Sequence, residues 1–236
     1  MNRLKAVLVI SLFFLTGCGL DVVKDVYADP VTSSLLPTVE SNADAMYFEF
    51  STSKLTDSTN MGQIFIYYKI YDSLEIHNRE QASLSALAGD ENKSATSASQ
   101  MLDKGKGKYA YCELHVDKNG NGGAGVDTEV FSLTNDAHIV RLLLTAPGYS
   151  PEITVDDTRL GTPCRTNDKN FNFYESTEGS NKPVANDDDT DDSNNFADNP
   201  DGPYYVALFS VFSTFDESYE PLYSPIHYLG SIKVTE

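Results

Sequence analysis

The residues best suited to chemistry in this sequence are oxygen donors spaced as in a calcium-binding loop. Asp117, Asn119 and Asn121 stand at alternate positions, and a glycine follows them. This alternation offers carboxylate and amide oxygens to one cation, and the glycine permits the sharp turn that such a loop needs. The twelfth position, a bidentate Glu in an EF-hand, is Thr128 here. The stretch therefore predicts either a loose calcium loop, in which Asp127 is the fourth ligand, or a glycine-rich turn between strands.

A second group of carboxylates lies in the polar stretch 180–202, which contains the run DDDTDD at 187–192. Closely spaced carboxylates repel one another, so a bound divalent cation would relieve the repulsion. The same composition, with almost no apolar residues, is typical of a solvated loop. We expect an acidic disordered loop over 180–202, with weak cation binding as the alternative.

Residue types used in catalysis are present but form no recognisable motif. The four histidines, His77, His115, His138 and His227, make no HExxH pair, and the sequence has no GxSxG. A Ser-His-Asp triad is recognised by geometry rather than by spacing, so the sequence leaves one open. The pattern favours a protein that is not an enzyme.

Aromatic residues suggest a recognition surface. The chain has 14 Tyr, 12 Phe and no Trp. Tyrosine offers a large amphipathic contact area at low entropic cost, although strands also favour tyrosine for packing alone. The loop FDESYEPLYS at 215–224 joins the last two expected strands, where sandwich domains often bind partners. We expect an interaction loop that uses Phe215, Tyr219 and Tyr223.

The elements that must position these residues read mostly as strands. The clearest is QIFIYYKIY at 63–71, where alternation with β-branched and aromatic residues predicts a strand. We expect its face of Ile64, Ile66, Tyr68 and Ile70 to point into the core. Further alternating or apolar runs lie at 46–50, 109–116, 138–145, 153–155, 170–174, 204–213 and 226–234.

One stretch, about 74–104, breaks the strand pattern. It is rich in Ala, Ser, Leu, Glu and Gln, and Ile76, Glu80, Leu84 and Leu87 follow a helical spacing. A second short helix at roughly 94–103 would present Ala98 and its neighbours. The sequence therefore predicts a short helical insertion that covers an edge or face of a sheet.

Short strands with polar turns and no βαβ alternation predict a mostly β fold, namely an immunoglobulin-like or fibronectin-III-like β-sandwich. The C-terminal stretch YYVALFSVFSTFDESYEPLYSPIHYLGSIKV resembles the last two strands of a fibronectin-type-III-like domain. Together with FIYYKIYD and the helical insertion, it also resembles uncharacterised lipoproteins of spirochaetes. That resemblance implies a location and a fold but no activity.

The amino terminus, MNRLKAVLVI SLFFLTGCGL, has two basic residues and then an apolar run too short to cross a bilayer, which is the layout of a signal peptide. The stretch Leu15-Thr16-Gly17-Cys18 resembles the lipobox of bacterial lipoproteins. The resemblance implies removal of residues 1–17, attachment of diacylglycerol to Cys18, and acylation of the new amino terminus with a chain such as palmitate. In that family an Asp after the lipidated Cys retains the protein on the inner membrane, so the resemblance, with Gly19 at this position, implies the outer membrane.

Two cysteines remain, Cys112 and Cys164, in a chain that we expect to reach an oxidising compartment. A disulfide between them would constrain the unfolded chain by about 4 kcal/mol. The alternative is two separate thiols.

The formal net charge of −18 argues against nucleic-acid binding, which needs patches of Lys and Arg. We expect a flexible tether at 18–44, with room for one early strand, and a single β-sandwich domain at 45–236. The sequence predicts a non-enzymatic, lipid-anchored envelope lipoprotein that binds a protein or glycan in the periplasm or at the cell surface, with no cofactor except weakly bound calcium. The alternatives are an envelope assembly or scaffold subunit and, less favoured, an extracytoplasmic hydrolase.

Overall fold

Strands dominate the structure, a computed structural model. The residues that it describes are 31–34, 38–39, 46–52, 62–88, 98, 101–102, 109–119, 127–134, 136–145, 150–166, 169–173, 181–191, 196, 202–215 and 221–234. The expected signal peptide and Cys18 lie outside these residues.

The described elements are one helix of several turns, α1 (Leu74–Ala88), and fourteen strands. In chain order the strands are β1 (Val31–Ser34), β2 (Thr38–Val39), β3 (Met46–Thr52), β4 (Gln63–Tyr71), β5 (Cys112–Glu113), β6 (His115–Asp117), β7 (Glu129–Val130), β8 (Ser132–Leu133), β9 (Ile139–Thr145), β10 (Glu152–Val155), β11 (Thr158–Cys164), β12 (Tyr204–Phe215), β13 (Pro221–Tyr223) and β14 (His227–Val234).

Two antiparallel sheets pack face to face, so the predicted mostly β sandwich is confirmed. The larger sheet has the order β1-β3-β9-β10-β11-β6-β7, with β2 also paired to β3. The smaller sheet has the order β13-β12-β4-β5, with β14 on β12 and β8 on β4. The chain changes sheets at Leu114, because β5 pairs with β4 whereas β6 pairs with β11.

Strand β4 is the centre of the smaller sheet, and its alternation was read correctly. The four residues Ile64, Ile66, Tyr68 and Ile70 are buried in the core between the sheets. They pack there with aromatic and aliphatic residues of β3 and β9, among them Phe48, Phe50, Val140 and Leu142. This shared apolar surface, withdrawn from water, holds the two sheets together.

The opposite face of β4 is buried too, beneath the helical insertion. Tyr67 and Tyr71 join Leu84 of α1, together with the helical residues Ala98 and Met101, in a second core cluster. Ser73 caps α1, since its Oγ accepts from the N–H of Ile76 at 3.4 Å. The prediction that a helical insertion covers a face of the sheet is confirmed for these residues.

Two strands lie inside the predicted tether at 18–44. β1 and β2 both pair with β3, so Val31–Ser34 and Thr38–Val39 are strands where a flexible tether with one early strand was expected. Their short, polar sequences carry little apolar periodicity, and backbone pairing with β3 is what orders them. Strand β11 was also missed, because its Gly161 and Pro163 read as breakers of a strand.

Candidate functional site

A groove of about 300 Å³ opens where the chain passes from one sheet to the other. We call it the tyrosine groove. It is lined by Tyr67, Leu102, Tyr111, Glu113, His115, Thr166 and Tyr223. Its volume lies at the lower end of the range for small-ligand sites in proteins. The lining comes from both sheets and from the helical insertion, so these residues come together only in the folded chain.

Tyr67 and Glu113 form a polar pair in the tyrosine groove. They face each other across the β4–β5 pairing, and the Tyr67 hydroxyl donates to Oε1 of Glu113 at 2.9 Å. Burial, and then the charge of Glu113, raise the pKa of Tyr67 well above its usual value. The hydroxyl therefore stays protonated and holds the carboxylate in place as a donor.

The Tyr111 hydroxyl takes part in a buried polar cluster. We call this cluster of Lys69, Tyr71, Glu80 and Tyr111 the helix-side network. The hydroxyls of Tyr111 and Tyr71 lie 2.6 Å apart, and Tyr71 donates to Oε2 of Glu80 at 2.8 Å. Lys69 Nζ forms an ion pair with the same oxygen at 3.1 Å. Buried polar networks whose members are paired restrict side chains to one arrangement, so the ring of Tyr111 is fixed before any ligand arrives.

A second buried cluster supports the Thr166 wall of the tyrosine groove. Arg165 directs its guanidinium at two carboxylates: Nη2 lies 2.8 Å from both Asp187 and Asp189, and Nε lies 2.9 Å from Asp189. Tyr68 joins it by donating to Asp189 at 2.7 Å, and the Tyr68 oxygen accepts from the N–H of Thr166 at 2.9 Å. We call these residues, with Lys169, the Arg165 cluster.

The Arg165 cluster corrects the prediction of a disordered, solvated loop over 180–202 for residues 181–191, whereas 180, 192–195 and 197–201 lie outside the described residues. Residues 181–191, the acidic segment, pack against the sandwich, and the Asp189 side chain is 0 % exposed. The repulsion between carboxylates that the sequence suggested is relieved by Arg165 and by Lys169, whose Nζ lies 2.7 Å from Asp187. An inference from the composition of the acidic run could not find these ion pairs, because the neutralising cations Arg165 and Lys169 lie outside the run.

Backbone pairing also fastens the acidic segment beside the tyrosine groove. Thr190 forms a parallel bridge with Ile70: the N–H of Ile70 donates to Asp189, and the N–H of Asp191 donates to Ile70. The acidic segment thereby pairs with the same edge of β4 as β5 does, but further along the strand. The Cys112 thiol donates to the carbonyl of Asp188 at 3.4 Å.

The two cysteines are both buried thiols, and the predicted disulfide between Cys112 and Cys164 is not formed. Cys112 belongs to β5 in the smaller sheet, whereas Cys164 belongs to β11 in the larger one and donates to the carbonyl of Thr162 at 3.5 Å. Burial, followed by the charge of Asp117, raises the pKa of Cys164 to about 11. Separate positions in two sheets favour the alternative of two independent thiols.

The calcium-loop residues are only partly described. Asp117 is buried, and its Oδ1 accepts from the N–H of Asn119 at 2.8 Å, which closes a turn after β6. Asp127 is exposed before β7, and Asn121 lies outside the described residues. Within the described ranges, no three His, Cys, Asp or Glu side chains cluster as metal ligands. The calcium loop stays a prediction.

One histidine stands in a triad-like arrangement. His138 Nδ1 lies 2.9 Å from the Asp156 carboxylate, and Nε2 lies 2.8 Å from the Thr134 hydroxyl. This is the order of carboxylate, base and hydroxyl. The Asp156 carboxylate also accepts from the N–H of Ile139, and Asp156 itself sits in the β10–β11 turn with a φ of 49°. None of the three lines the tyrosine groove, and their bonds join the turn to the start of β9.

The predicted interaction loop contributes one residue to the tyrosine groove. Tyr223 ends β13, lines the tyrosine groove and is 38 % exposed. The backbone of Phe215 pairs with Pro221, whereas Tyr219 lies outside the described residues. The sequence missed Tyr67, Tyr111, Glu113 and His115 as a group, because only the pairing of strands distant in the chain brings them together.

Within the described residues, no helix combines the length and apolar character needed to cross a membrane. Comparisons with known proteins were negative: no protein-family profile, no curated protein and no solved structure matches this chain.

Proposed function

We propose that this protein is a lipid-anchored lipoprotein of the cell envelope that binds an extracytoplasmic ligand in the tyrosine groove. The observation that carries the binding role is the meeting of Tyr223 with Tyr67, Tyr111 and Glu113 in one groove. Tyr223 is exposed whereas Tyr67 and Tyr111 are buried, and a concave, largely apolar lining with a few fixed polar groups is the usual composition of a binding site.

Rigidity behind the tyrosine groove supports a binding role. The helix-side network fixes Tyr111, and the Arg165 cluster fixes the backbone at Thr166. A site that is ordered before binding loses less entropy when the ligand arrives, so it gains affinity.

The anchor proposal rests on the Leu15-Thr16-Gly17-Cys18 lipobox. Acyl chains at Cys18 would place the domain at the outer membrane, where it faces the periplasm or the exterior.

The Ser-Pro step before β14 supports a fibronectin-III-like relationship for the C-terminal strands, which we propose for this part of the chain alone.

Protease treatment of intact cells tests the anchor and its orientation. For a surface lipoprotein we expect the chain to be shaved from intact cells, and a Cys18→Ala variant to be released or left unprocessed. A chain that resists protease until the outer membrane is opened has a periplasmic partner instead. Membrane retention and processing of Cys18→Ala that match the wild type would contradict lipid anchoring.

Photo-crosslinking tests the binding role. A benzoylphenylalanine is placed at position 223 in the full chain, and at position 47 as a control, because Tyr47 stacks on Arg141 on the other sheet. We expect mass spectrometry to find a specific adduct at position 223 after irradiation of native cells. Equal labelling at both positions, or none at 223, refutes the binding role.

A further inference from the structure

The tyrosine groove combines aromatic rings with a carboxylate and contains no lysine or arginine in its described lining. Ring faces attract cations through their quadrupole, and aromatic side chains bind organic ammonium groups in this way. Tyr223 is the exposed ring of the tyrosine groove, since Tyr67 and Tyr111 are buried. Glu113 supplies a negative countercharge in the same groove. Tyr67 keeps that carboxylate in one orientation through its 2.9 Å hydrogen bond.

The chain already places a cation against one of these rings. Lys69 Nζ lies 5.9 Å from the centroid of the Tyr111 ring and 5.4 Å from that of Tyr71. Both distances are within the reach of a cation–π interaction. Tyr111 thus serves as a cation acceptor within the fold while it also lines the tyrosine groove.

The charge of the whole chain points in the same direction. A formal net charge of −18 produces a negative potential that concentrates cationic ligands near the surface and repels anionic ones. Glu113 gives that potential a fixed charge inside the tyrosine groove. These charges favour a ligand with a positive head over a phosphate or carboxylate ligand.

We propose that the tyrosine groove binds an alkylammonium group, the chemistry shared by a lysine side chain and a choline headgroup. This inference rests on the proposed binding role and specifies the ligand class. The ammonium group lies against the exposed ring of Tyr223, with Glu113 as its countercharge. A volume of about 300 Å³ accommodates such a group and a short alkyl stem.

Calorimetry on the full chain, purified in an uncharged maltoside detergent, tests this inference. The four probes are Nα-acetyl-lysine amide, choline, and their neutral analogues Nα-acetyl-norleucine amide and 3,3-dimethyl-1-butanol. Each neutral analogue keeps the shape of its partner closely but lacks the positive charge. We expect each cation to bind about tenfold more tightly than its analogue. The tighter of the two cations identifies the source, a lysine side chain or a choline headgroup.

Matched variants locate the binding. Glu113→Gln and Tyr223→Leu should each weaken binding of the better cation about fivefold, whereas Tyr223→Phe should change it less than about twofold, because phenylalanine keeps the ring face. Glu152→Gln and Tyr47→Leu are controls on the other sheet and should leave the affinity unchanged. Added salt should weaken binding of the cations and not of the neutral analogues.

Three results would overturn the alkylammonium assignment. The first is that the neutral analogues bind as tightly as the cations, and the second is that no probe binds detectably. A third is an effect of Glu152→Gln equal to that of Glu113→Gln. The crosslink at position 223 separates this failure from failure of the binding role. An adduct at 223 without ammonium binding means a ligand of another class, and no adduct at 223 refutes both.

Discussion

At the residue scale, the most consequential side chain is Arg165. Its guanidinium is 0 % exposed and contacts Asp187 and Asp189, of which Asp189 is also fully buried. Charges removed from water are tolerated only when they are paired and hydrogen-bonded. Arg165 is therefore the residue that allows an acidic segment to pack against a sandwich core.

Replacing this cation should destabilise the protein strongly. We expect Arg165→Met to lower the free energy of unfolding by about 3–5 kcal/mol, because it leaves the buried Asp189 without its charged partner and with only the Tyr68 hydroxyl as a donor. Urea unfolding followed by circular dichroism measures the loss. The control is Arg159→Met, which removes an ion pair with Glu152 whose side chains are 49 % and 42 % exposed. That change should cost no more than about 1 kcal/mol, and equal losses would refute the assigned role of Arg165.

His77 gives the protein a sensitivity to acid. Burial lowers the pKa of His77 below its usual value, and the ring packs edge-on to Tyr71 with its centroid 5.3 Å away. In the unfolded chain His77 takes up a proton near pH 6.5, whereas in the folded chain it takes up the proton only at a lower pH. Stability linked to this residue is therefore present above about pH 6.5 and lost as the pH falls below it.

A His77→Gln variant isolates that contribution. We expect the wild type to lose more unfolding free energy than the variant between pH 7.5 and pH 5.5, conditions chosen to bracket the histidine transition at about pH 6.5. Groups away from residue 77 contribute equally to both pH profiles, so the difference between the two proteins reports on His77. Parallel pH profiles would show that His77 is not buried in its neutral form.

At the element scale, β4 explains what the sequence does and does not reveal. Its alternation predicted both the bounds Gln63–Tyr71 and the core face, because a strand at the centre of a sheet encodes its faces locally. The edges of β4 were not predictable in the same way. β8, β5 and Thr190 pair along one edge, and each pairing depends on backbone contacts with a distant part of the chain.

The tyrosine groove likewise contains residues that the local sequence reveals and residues that only the pairing of distant strands brings together. Tyr223 was picked out because its loop is rich in aromatic residues between two recognisable strands. Glu113 and His115 gave no signal, since they are ordinary residues on short strands until the change of sheet at Leu114 turns them toward the groove. The Arg165 cluster was missed because composition treats carboxylates as solvated, and the pairing that buries them joins separate segments.

Ser224 offers a test of how β13 is held. The strand that pairs with β12 is interrupted at Ser224, and its Oγ accepts from the N–H of Phe212 at 3.0 Å. We expect Ser224→Ala to lower the free energy of unfolding by about 1–3 kcal/mol, because a buried backbone N–H loses its acceptor. Urea unfolding measures this loss. Because Tyr223 is adjacent to Ser224, the tyrosine groove should also bind its ligand more weakly in this variant.

A serine on the exposed face of α1 provides the comparison. Ser83 donates to the carbonyl of Arg79 at 2.8 Å within the helix. Ser83→Ala should change the free energy of unfolding by less than about 0.5 kcal/mol. If Ser224→Ala costs no more than Ser83→Ala, the side chain of Ser224 is not what completes the pairing between β12 and β13.

At the scale of the whole molecule, the two sheets are joined by packing and by the change of sheet at Leu114, without a covalent link between Cys112 and Cys164. We expect a reductant to leave the thermal midpoint of a Cys18→Ala chain unchanged. Iodoacetamide should label neither remaining cysteine in the folded chain, because both are buried, and should label both in denaturant without prior reduction. Mass spectrometry counts the added groups, and a chain that takes up label only after reduction would restore the disulfide.

The central claim is that the groove of Tyr67, Tyr111 and Tyr223 is where this protein binds its ligand. The most direct test is the tyrosine-selective NMR spectrum of the full chain, whose 14 tyrosines are assigned by single Tyr→Phe changes, with and without envelope extract from native cells. We predict that the extract shifts the ring signals of those three residues and leaves Tyr47 unchanged. Shifts confined to other tyrosines, or spread evenly over all of them, would contradict the claim.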